Sequence, residues 1–365
     1  MKQEYKSKTI MLTITEDCNL NCVYCYQKNK SKKEMSIEKA QELIRKYVEK
    51  FSDSSQLRFD LAGGEVFLRQ NFIKEICEWT WSQDFGENII FFATTNGTLV
   101  HGEIQEWLYK NRTKIYVGLS LDGTRDMDNK NRSNSFDLID FEFFKRTWPN
   151  QGVKMTISPY TLPKISKGII ELHEKGIKVM ANLAYLCDWS DPEYKDIFRR
   201  ELKILADYYI SHPEQEISSI LNVALEAIIT QKDSIVKWCG TGTHMIALDS
   251  EGNEYPCHFF MPSTMPNNID WKKINFSDIE KLQDKKCKEC IYLPVCPTCY
   301  GASSVQYGTP SIRDKNLCEM NKIRVQAASY LWGKKLVLGQ LKTENANLLN
   351  NTIAAIKKVQ EDIDN

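Results

Sequence analysis

The stretch CNLNCVYC, residues 18–25, decides how this chain is interpreted, because it places three cysteines within eight residues. It directly follows TIMLTIT at 9–15, an apolar run that predicts a strand. A structural zinc site normally takes four protein ligands. Three thiolates on a cubane iron–sulfur cluster instead leave one iron without a protein ligand. The loop therefore favours an iron–sulfur centre with one iron free to bind a small molecule.

The composition excludes several broad classes of protein. The 365 residues carry 48 Lys and Arg against 48 Asp and Glu, so a polybasic nucleic-acid or membrane-surface binder is not expected. No apolar run approaches ~18 residues, and no signal core precedes the first predicted strand. We therefore expect a cytoplasmic protein with neither nucleic acid nor membrane as a partner. In a reducing compartment its 12 cysteines, most of them bunched, indicate metal or iron–sulfur sites.

Residues up to about 200 alternate short apolar strands with amphipathic helices. Strands are predicted at 9–15, 57–62, 88–95, 114–121, 153–158 and 177–186. Helices are predicted at 36–51, 71–82, 101–110, 136–147, 164–175, 192–211 and 214–230. This alternation predicts an α/β fold with a parallel sheet, either open or curled into a partial barrel. Ligands in such folds bind at the carboxyl ends of the strands.

The spacing CxxxCxxC after the first strand resembles that of the radical S-adenosylmethionine (SAM) enzymes. The resemblance implies a partial (β/α)6 barrel, in agreement with the independent strand count. It also implies that the open iron is chelated by the amino and carboxylate groups of SAM. An electron from the cluster would cleave SAM to a 5′-deoxyadenosyl radical, which abstracts a hydrogen from the substrate.

Polar and glycine residues at the ends of later strands extend the resemblance. Gly63, Gly64 and Glu65 in LAGGEVF resemble the family's GGE motif, which contacts the SAM amino group. Glycines let the backbone approach a ligand closely, and a carboxylate accepts hydrogen bonds from an ammonium group. Asn96 in TTNGT ends the third predicted strand, at the expected mouth of the barrel.

Three further positions match those that contact SAM in the family's peptide-modifying members. Ser120, in GLSLDG, corresponds to the serine that contacts the SAM ribose. Arg132, in DNKNRS, corresponds to the arginine that contacts the SAM carboxylate. Tyr24, directly before the third cysteine, resembles the aromatic residue near the adenine. A surface-loop role explains Ser120 and Arg132 equally well when each is taken alone.

A second cysteine field resembles the SPASM domain, a C-terminal extension that carries two auxiliary 4Fe–4S clusters. Its members are Cys239, Cys257, Cys287, Cys290, Cys296, Cys299 and Cys318. The family pattern implies one cluster on Cys287, Cys290, Cys296 and Cys318, and another on Cys239, Cys257 and Cys299. Three 4Fe–4S clusters would then be present in all, against a pair of zinc sites as the alternative. Seven cysteines leave one of eight positions vacant, so the second cluster either keeps an open iron or uses His244.

The resemblance predicts three parts: a radical SAM partial barrel over 1–230, a SPASM domain over 231–320 and C-terminal helices over 321–365. It leaves two reactions open. The first is that of a maturase for ribosomally made peptides, which forms a thioether, a carbon–carbon crosslink or another oxidative modification. The second is that of an anaerobic sulfatase-maturing enzyme, which oxidises Cys or Ser to formylglycine. A non-catalytic zinc-bound scaffold is the remote alternative, since it explains neither the cysteine spacing nor the GGE turn.

His258, directly after Cys257 in YPCHFF, is the candidate catalytic base. Sulfatase-maturing relatives have Asp at this position, which favours the peptide maturase. Histidine suits proton transfer because its unperturbed pKa is near ~6.5. An open iron on the adjacent cluster would favour a Cys-containing peptide substrate.

The remaining partners also follow from the resemblance. An electron donor such as flavodoxin or ferredoxin is expected. Only 17 residues precede Cys18, so we expect no N-terminal leader-binding domain. Leader recognition would then come from a separate protein or from the C-terminal helices.

Overall fold

A computed structural model of the chain describes residues 7–52, 56–231, 237, 239–265, 269–341 and 345–364. The chain packs into two compact units that interleave along the sequence. The first unit comprises Met1–Leu121, Arg132–Val153 and Gly240–Ser277, and the second comprises Asp122–Asn131, Lys154–Cys239 and Asp278–Asn365. The boundaries predicted near residues 230 and 320 separate segments by their resemblance to known domains, whereas the two units are defined by packing. These boundaries therefore remain a prediction.

Eight strands are found in the described residues. They are β1 (Ser7–Thr15), β2 (Gln56–Gly63), β3 (Ile89–Thr95), β4 (Ile115–Leu119), β5 (Val153–Ile157), β6 (Val179–Leu183), β7 (Met245–Leu248) and β8 (Glu254–Tyr255). The first six confirm the predicted strands. One sheet has the order β4-β3-β2-β1-β7-β8, and β5 pairs with β6 in another. Strands β1 to β4 run parallel, β7 adds to β1 in parallel, and β8 returns antiparallel.

Eleven helices are found in the same residues. They are α1 (Ile37–Lys50), α2 (Gln70–Trp81), α3 (Glu103–Lys110), α4 (Arg125–Asn131), α5 (Phe141–Thr147), α6 (Ile165–Glu174), α7 (Glu193–Ser211), α8 (Ala227–Thr230), α9 (Tyr300–Tyr307), α10 (Lys315–Val337) and α11 (Ala346–Asp364). The sequence shows why α1 begins where it does. The Ser36 hydroxyl accepts a hydrogen bond from the Lys39 N–H at 3.2 Å, which satisfies one of the unpaired donors of the first turn.

The predicted helix over 214–230 is wrong, since only Ala227–Thr230 is helical. The apolar residues that suggested it, among them Ile220 and Leu221, are buried in a series of turns instead. Hydrogen bonds between residues two apart join Val223 to Leu221 and Leu225 to Val223. Burial, rather than helical periodicity, therefore explains this apolar spacing.

Strand β1 forms the centre of the first unit. Its residues Ile10, Leu12 and Ile14 are completely buried. Burying each of these side chains contributes about 1.5–3 kcal/mol to folding. Because β2 flanks β1 on one side and β7 on the other, the cysteine loop that follows β1 starts from a fixed point in the sheet.

In the second unit, long helices pack against one another. The Tyr330 hydroxyl of α10 donates to the Asp207 carboxylate of α7 at 2.9 Å. The Gln340 side-chain amide, just beyond α10, donates to the Ile210 carbonyl at 3.0 Å. These contacts hold α10, which carries Cys318 near its start, in a fixed place within its unit. Among the described residues, no helix is long and apolar enough to cross a membrane.

Candidate functional site

The loop after β1 holds the three cysteines Cys18, Cys22 and Cys25, all of them half-buried. The Asp17 carboxylate accepts from the Cys18 N–H at 2.9 Å, and the Cys25 N–H donates to the Cys22 carbonyl at 3.1 Å. Burial raises the pKa of the Cys18 thiol, and the nearby Cys25 and Glu65 add to the rise because like charges repel. The structure therefore brings Cys18 close to both Cys25 and the carboxylate of the GGE turn.

The GGE turn packs directly on this loop. The Gly64 N–H donates to the Thr15 carbonyl at 3.0 Å, and the Glu65 N–H donates to the Asp17 carbonyl at 2.8 Å. A Cβ atom at Gly64 would lie 2.0 Å from the Asp17 carbonyl oxygen and 2.9 Å from Cys18 Cβ. A Cβ at Gly63 would lie 1.8 Å from the Thr15 carbonyl oxygen. Both positions thus require glycine for the close approach.

Glu65 is 1% exposed, and its carboxylate accepts three hydrogen bonds from the chain. The donors are the Phe67 N–H at 3.0 Å, the Thr95 hydroxyl at 2.7 Å and the Asn96 N–H at 2.7 Å. Burial raises the pKa of Glu65, while these hydrogen bonds and the nearby Arg132 guanidinium act in the opposite direction. Glu65 therefore joins the end of β2 to the end of β3, and its two oxygens retain a lone pair for a further donor.

Asn96 is buried and connects the end of β3 to the cysteine loop. Its side-chain amide donates to the Asn19 side-chain oxygen at 2.8 Å, and the Asn19 amide donates to the Thr98 hydroxyl at 2.8 Å. The Thr98 N–H and hydroxyl both donate to the Asn96 side-chain oxygen. This closed set of hydrogen bonds fixes the loop between its first two cysteines.

Arg132 reaches the other side of the loop. It is 6% exposed, and its Nη1 donates to the Tyr24 hydroxyl at 2.6 Å. The next residue, Ser133, accepts from the Asn21 N–H at 2.9 Å. Ser133 and Asn134 both have left-handed backbone, with φ of 56° and 59°, which is strained for residues other than glycine. This strain lies where the chain presents Arg132 and Ser133 to the cysteine loop.

Ser120 follows β4 directly and is half-buried. Its N–H donates to the Thr95 carbonyl at 2.9 Å, so it continues the sheet to the same edge as Glu65 and Asn96. The contact of its side chain with a ribose remains a prediction.

The candidate base His258 lies beside the cysteine loop. Its ring centroid is 5.0 Å from that of Tyr26, the residue after Cys25, and 4.9 Å from that of Phe259. The following residues hold this segment in place, since the Asn29 N–H donates to the Ser263 carbonyl at 3.0 Å. The structure therefore brings His258 to the first cysteine field, a proximity that the sequence did not predict.

Within the second unit, a cavity of about 100 Å³ is lined by the four cysteines predicted to share a cluster, together with Cys299. These four are Cys287, Cys290, Cys296 and Cys318. Burial raises the pKa of Cys296 to about 12 and that of Cys287 to about 11, and the neighbouring cysteines add to both rises. Free thiols would therefore be neutral here, whereas coordination to a metal deprotonates a thiol outright. A thiol-lined cavity of this size fits the predicted iron–sulfur group.

The structure brings together only part of the second predicted ligand set, Cys239, Cys257 and Cys299. Cys239 and Cys299 both lie near Tyr185, whose pKa is raised first by burial and then by these thiols and Cys296. Cys257 is buried and belongs to the first unit, so its grouping with the other two remains a prediction. Nδ1 of His244, the alternative ligand, lies 3.5 Å from Lys8 Nζ. In the described part of the chain, no three His, Cys, Asp or Glu residues are arranged to hold a single metal ion.

Sequence reasoning missed two cations that line the thiol cavity, Arg313 and Arg324. It also missed Tyr26 and Tyr185. None of these residues stands in a recognisable motif. The signal that could have suggested the arginines is their position in the sequence, five residues before and six residues after Cys318.

The radical SAM superfamily model matches residues 12–200, which contain the cysteine loop, the GGE turn, Ser120 and Arg132. The chain belongs to the radical SAM superfamily. Members of this superfamily use a 4Fe–4S cluster and SAM, so this protein is a radical SAM enzyme.

Several curated relatives are similar over most of this radical SAM enzyme. A cysteine-type anaerobic sulfatase-maturating enzyme of Clostridium perfringens is 24% identical over 319 residues, 76% of this chain and 84% of that protein. The antilisterial bacteriocin subtilosin biosynthesis protein AlbA of Bacillus subtilis is 24% identical over 341 residues, 85% of this chain and 70% of that protein. An uncharacterized protein of Methanocaldococcus jannaschii, MJ0907, is 34% identical over 116 residues, only 32% of this chain and 39% of that protein.

Solved structures show the same fold. Native anSMEcpe with bound AdoMet has a TM-score of 0.70 at 20% identity, with 90% of this chain and 99% of that chain covered. Streptococcus suis SuiB bound to precursor peptide SuiA has a TM-score of 0.55 at 16% identity, with 85% and 76% covered. The α/β radical SAM fold expected from the sequence is confirmed, and the Cys-rich C-terminal region is consistent with a SPASM-like domain.

Proposed function

We propose that this radical SAM enzyme is a peptide maturase that abstracts a hydrogen from a side chain of a ribosomally made peptide. The product is a thioether, a carbon–carbon crosslink or another oxidative modification. Homology to enzymes that modify peptides and proteins supports this substrate class. The observation that carries the proposal is the position of His258, a side chain suited to proton transfer, whose ring centroid is 5.0 Å from that of Tyr26.

The cysteine loop and its neighbours form the proposed SAM site. Cys18, Cys22 and Cys25 would hold a 4Fe–4S cluster, which together with SAM supplies the one-electron chemistry that abstracts hydrogen. The charges around the loop match the amino-acid part of SAM, since Glu65 offers a negative charge and Arg132 a positive one. The Glu65 carboxylate would orient the ammonium group, and Arg132, held by Tyr24, would orient the carboxylate.

The remaining proposed SAM contacts come from backbone and strand ends. Gly63 and Gly64 permit the close approach of the turn, since any larger residue would collide with Thr15 or Asp17. Asn96 restrains the cysteine loop through the hydrogen bond that its side-chain amide donates to the Asn19 side-chain oxygen.

Proton removal is assigned to His258. Oxidation of a side chain by hydrogen abstraction also releases a proton, and a histidine with a near-neutral pKa can accept it. The contact with Phe259 and Tyr26 restricts the imidazole to the neighbourhood of Cys25. His258 would therefore act on a peptide bound beside the SAM site.

Two auxiliary 4Fe–4S clusters complete the proposal. Cys287, Cys290, Cys296 and Cys318 share one cavity, which supports their common assignment. Cys239, Cys257 and Cys299 are assigned to the other, whose fourth position is open to a substrate thiolate or to His244. An open position favours a Cys-containing peptide, because metal coordination lowers a thiol pKa and orients the sulfur.

Two further proteins belong to this proposal. A flavodoxin- or ferredoxin-type donor would supply the electrons. A separate leader-binding protein, or helices α10 and α11, would recognise the precursor peptide.

The alternative is an anaerobic sulfatase-maturing enzyme, which the 24% identity to such an enzyme over 76% of this chain supports. The two functions give different products from one Cys-containing peptide. Crosslinking removes two hydrogen atoms and keeps the sulfur, whereas formylglycine formation replaces the sulfur with oxygen. Mass spectrometry of a peptide from a neighbouring reading frame, incubated with the reconstituted enzyme, SAM and dithionite, separates them.

Variants test the assigned roles. The triple variant C18A/C22A/C25A should lose SAM cleavage while it retains the auxiliary iron, and wild-type release of 5′-deoxyadenosine would contradict the assignment. His258→Ala should lose peptide product but still cleave SAM, and His258→Asp should restore part of the product. His244→Ala is the matched control: loss of iron there would make His244 the missing ligand. Full activity in both alanine variants would refute both histidine assignments.

A further inference from the structure

Two arginines lie in the wall of the thiol cavity in the second unit. Arg313 and Arg324 are its only cationic side chains among the described residues. Arg324, on α10, donates from Nη2 to the Val295 carbonyl at 2.8 Å. Because Val295 directly precedes Cys296 in the sequence, this hydrogen bond anchors Arg324 beside the segment that carries Cys296. Its positive charge and the Cys296 thiol interact electrostatically.

Arg324 has one polar atom that no other group satisfies. Its Nε is buried and finds no hydrogen-bond partner among the described residues. A buried N–H without a hydrogen-bond partner destabilises a folded protein, because it has lost its hydration and gained no acceptor in return. An anionic group in the adjoining cavity would provide the missing acceptor. Burial lowers the pKa of Arg324 and the nearby Cys296 and Tyr185 act in the opposite direction, but an arginine guanidinium stays charged at neutral pH even when buried.

Arg313 is held differently. Its Nη1 donates to the Pro310 carbonyl at 2.5 Å, and its Nη2 donates to the Leu282 carbonyl at 2.8 Å. These neutral acceptors fix the side chain, while the Asp284 carboxylate, which accepts from the Arg313 backbone N–H at 3.0 Å, offsets part of its charge. The Arg313 charge partly offsets the rise that burial causes in the pKa of Cys287, as expected of a cation close to that thiol. The cavity thus has a positive charge near Cys287, which Asp284 partly offsets, and another near Cys296, while Asp314 is the acidic side chain in its described wall.

We propose that Arg324, assisted by Arg313, is a positioning residue that raises the reduction potential of an iron–sulfur cluster bound by Cys287, Cys290, Cys296 and Cys318. This inference rests on the proposed auxiliary cluster. A cluster held by four thiolates is anionic and becomes more negative when it accepts one electron. Nearby cations that have little solvent to screen them therefore favour the reduced form. Hydrogen bonding and local charge are recognised means of setting such potentials.

The test compares charge-removing and charge-conserving variants in the full chain. All carry C18A, C22A and C25A, so that only auxiliary clusters remain. Arg324→Gln removes the charge, Arg324→Lys keeps it, and Arg199→Gln removes an exposed arginine of α7 in the same unit. After reconstitution with iron and sulfide, the clusters are titrated anaerobically with dithionite and followed by electron paramagnetic resonance.

We expect Arg324→Gln to lower the ratio of reduced to oxidised cluster about tenfold at a fixed potential, which is about 59 mV for one electron. Arg324→Lys should lie near the parent, and Arg199→Gln should not differ from it. Loss of the cluster in Arg324→Gln but not in Arg324→Lys also supports a role for the charge. An unchanged potential in Arg324→Gln, or loss of the cluster in both Arg324 variants, overturns the inference. Failure of the parent to bind any iron would instead overturn the auxiliary cluster itself.

Discussion

Replacing Gly64 with alanine would test whether the GGE turn sets the geometry of the cysteine loop. The new Cβ would lie 2.0 Å from the Asp17 carbonyl oxygen, 2.5 Å from the Asp17 carbonyl carbon and 2.9 Å from Cys18 Cβ. The first two are backbone atoms, so no side-chain rotation can relieve the collision. Since atoms in ordinary contact lie about 3.5–4.0 Å apart, the loop must move by more than about 1 Å.

The displacement should lower both stability and activity. Two hydrogen bonds join the turn to the loop, from Gly64 N–H to Thr15 at 3.0 Å and from Glu65 N–H to Asp17 at 2.8 Å. Losing them costs about 1 kcal/mol each, and overpacking adds about 1–3 kcal/mol. The lower chain entropy of alanine in the unfolded state offsets about 0.4–1 kcal/mol. We expect the free energy of unfolding to fall by about 2–4 kcal/mol, and a shift of about 1 Å to slow SAM cleavage by about 100-fold.

The assays are urea unfolding of the metal-free protein and anaerobic release of 5′-deoxyadenosine by the reconstituted enzyme. Gly102→Ala is the matched control, because Gly102 has a φ of +63° but no atom lies within 4 Å of its Cβ position. It should lose about 1–2 kcal/mol from backbone strain and keep SAM cleavage. If Gly64→Ala cleaves SAM at the wild-type rate, the close approach of the turn does not position the cysteine loop.

Three further predictions concern single side chains. Burial lowers the pKa of His173 below its ordinary value of ~6.5, so the unfolded chain binds more protons than the folded one. The free energy of unfolding should therefore fall as the pH drops through ~6.5. His173→Gln should flatten this dependence of stability on pH, as measured by urea unfolding at several pH values. Tyr24→Phe removes the 2.6 Å hydrogen bond from Arg132 and should weaken SAM binding about fivefold, as measured by calorimetry. The control Tyr109→Phe changes an exposed tyrosine and should leave the affinity for SAM unchanged. Equal affinities of Tyr24→Phe and the wild type for SAM would contradict the assigned site. Cys287→Ala should lose about four iron atoms per chain and lower the melting temperature, whereas Cys77→Ala should keep its iron; unchanged iron in the first variant would remove Cys287 from the ligand set.

Local sequence was sufficient for features that depend on neighbouring residues. The alternation of strands and helices predicted β1 to β6 because each element buries its own periodic apolar face. Where apolar residues are buried without regular structure, as at Ile220 and Leu221, the same periodicity gave a helix that does not exist. The cysteine spacing and GGE resembled a family signature, and the family was confirmed over residues 12–200.

Only the tertiary structure decided how distant segments meet. Strand β7 adds to β1, and the Thr13 hydroxyl reaches the Met261 sulfur across 248 residues of sequence, so the segment that carries His258 packs on the first cysteine field. The same holds for Arg324, whose relation to Cys296 depends on the course of α10 and on the Val295 carbonyl. Motif spacing determines which chemistry a chain can carry, because ligands near one another in sequence are close in space. The side chains that adjust that chemistry come from elsewhere in the chain, since their contacts follow from packing and leave no periodic trace in the sequence.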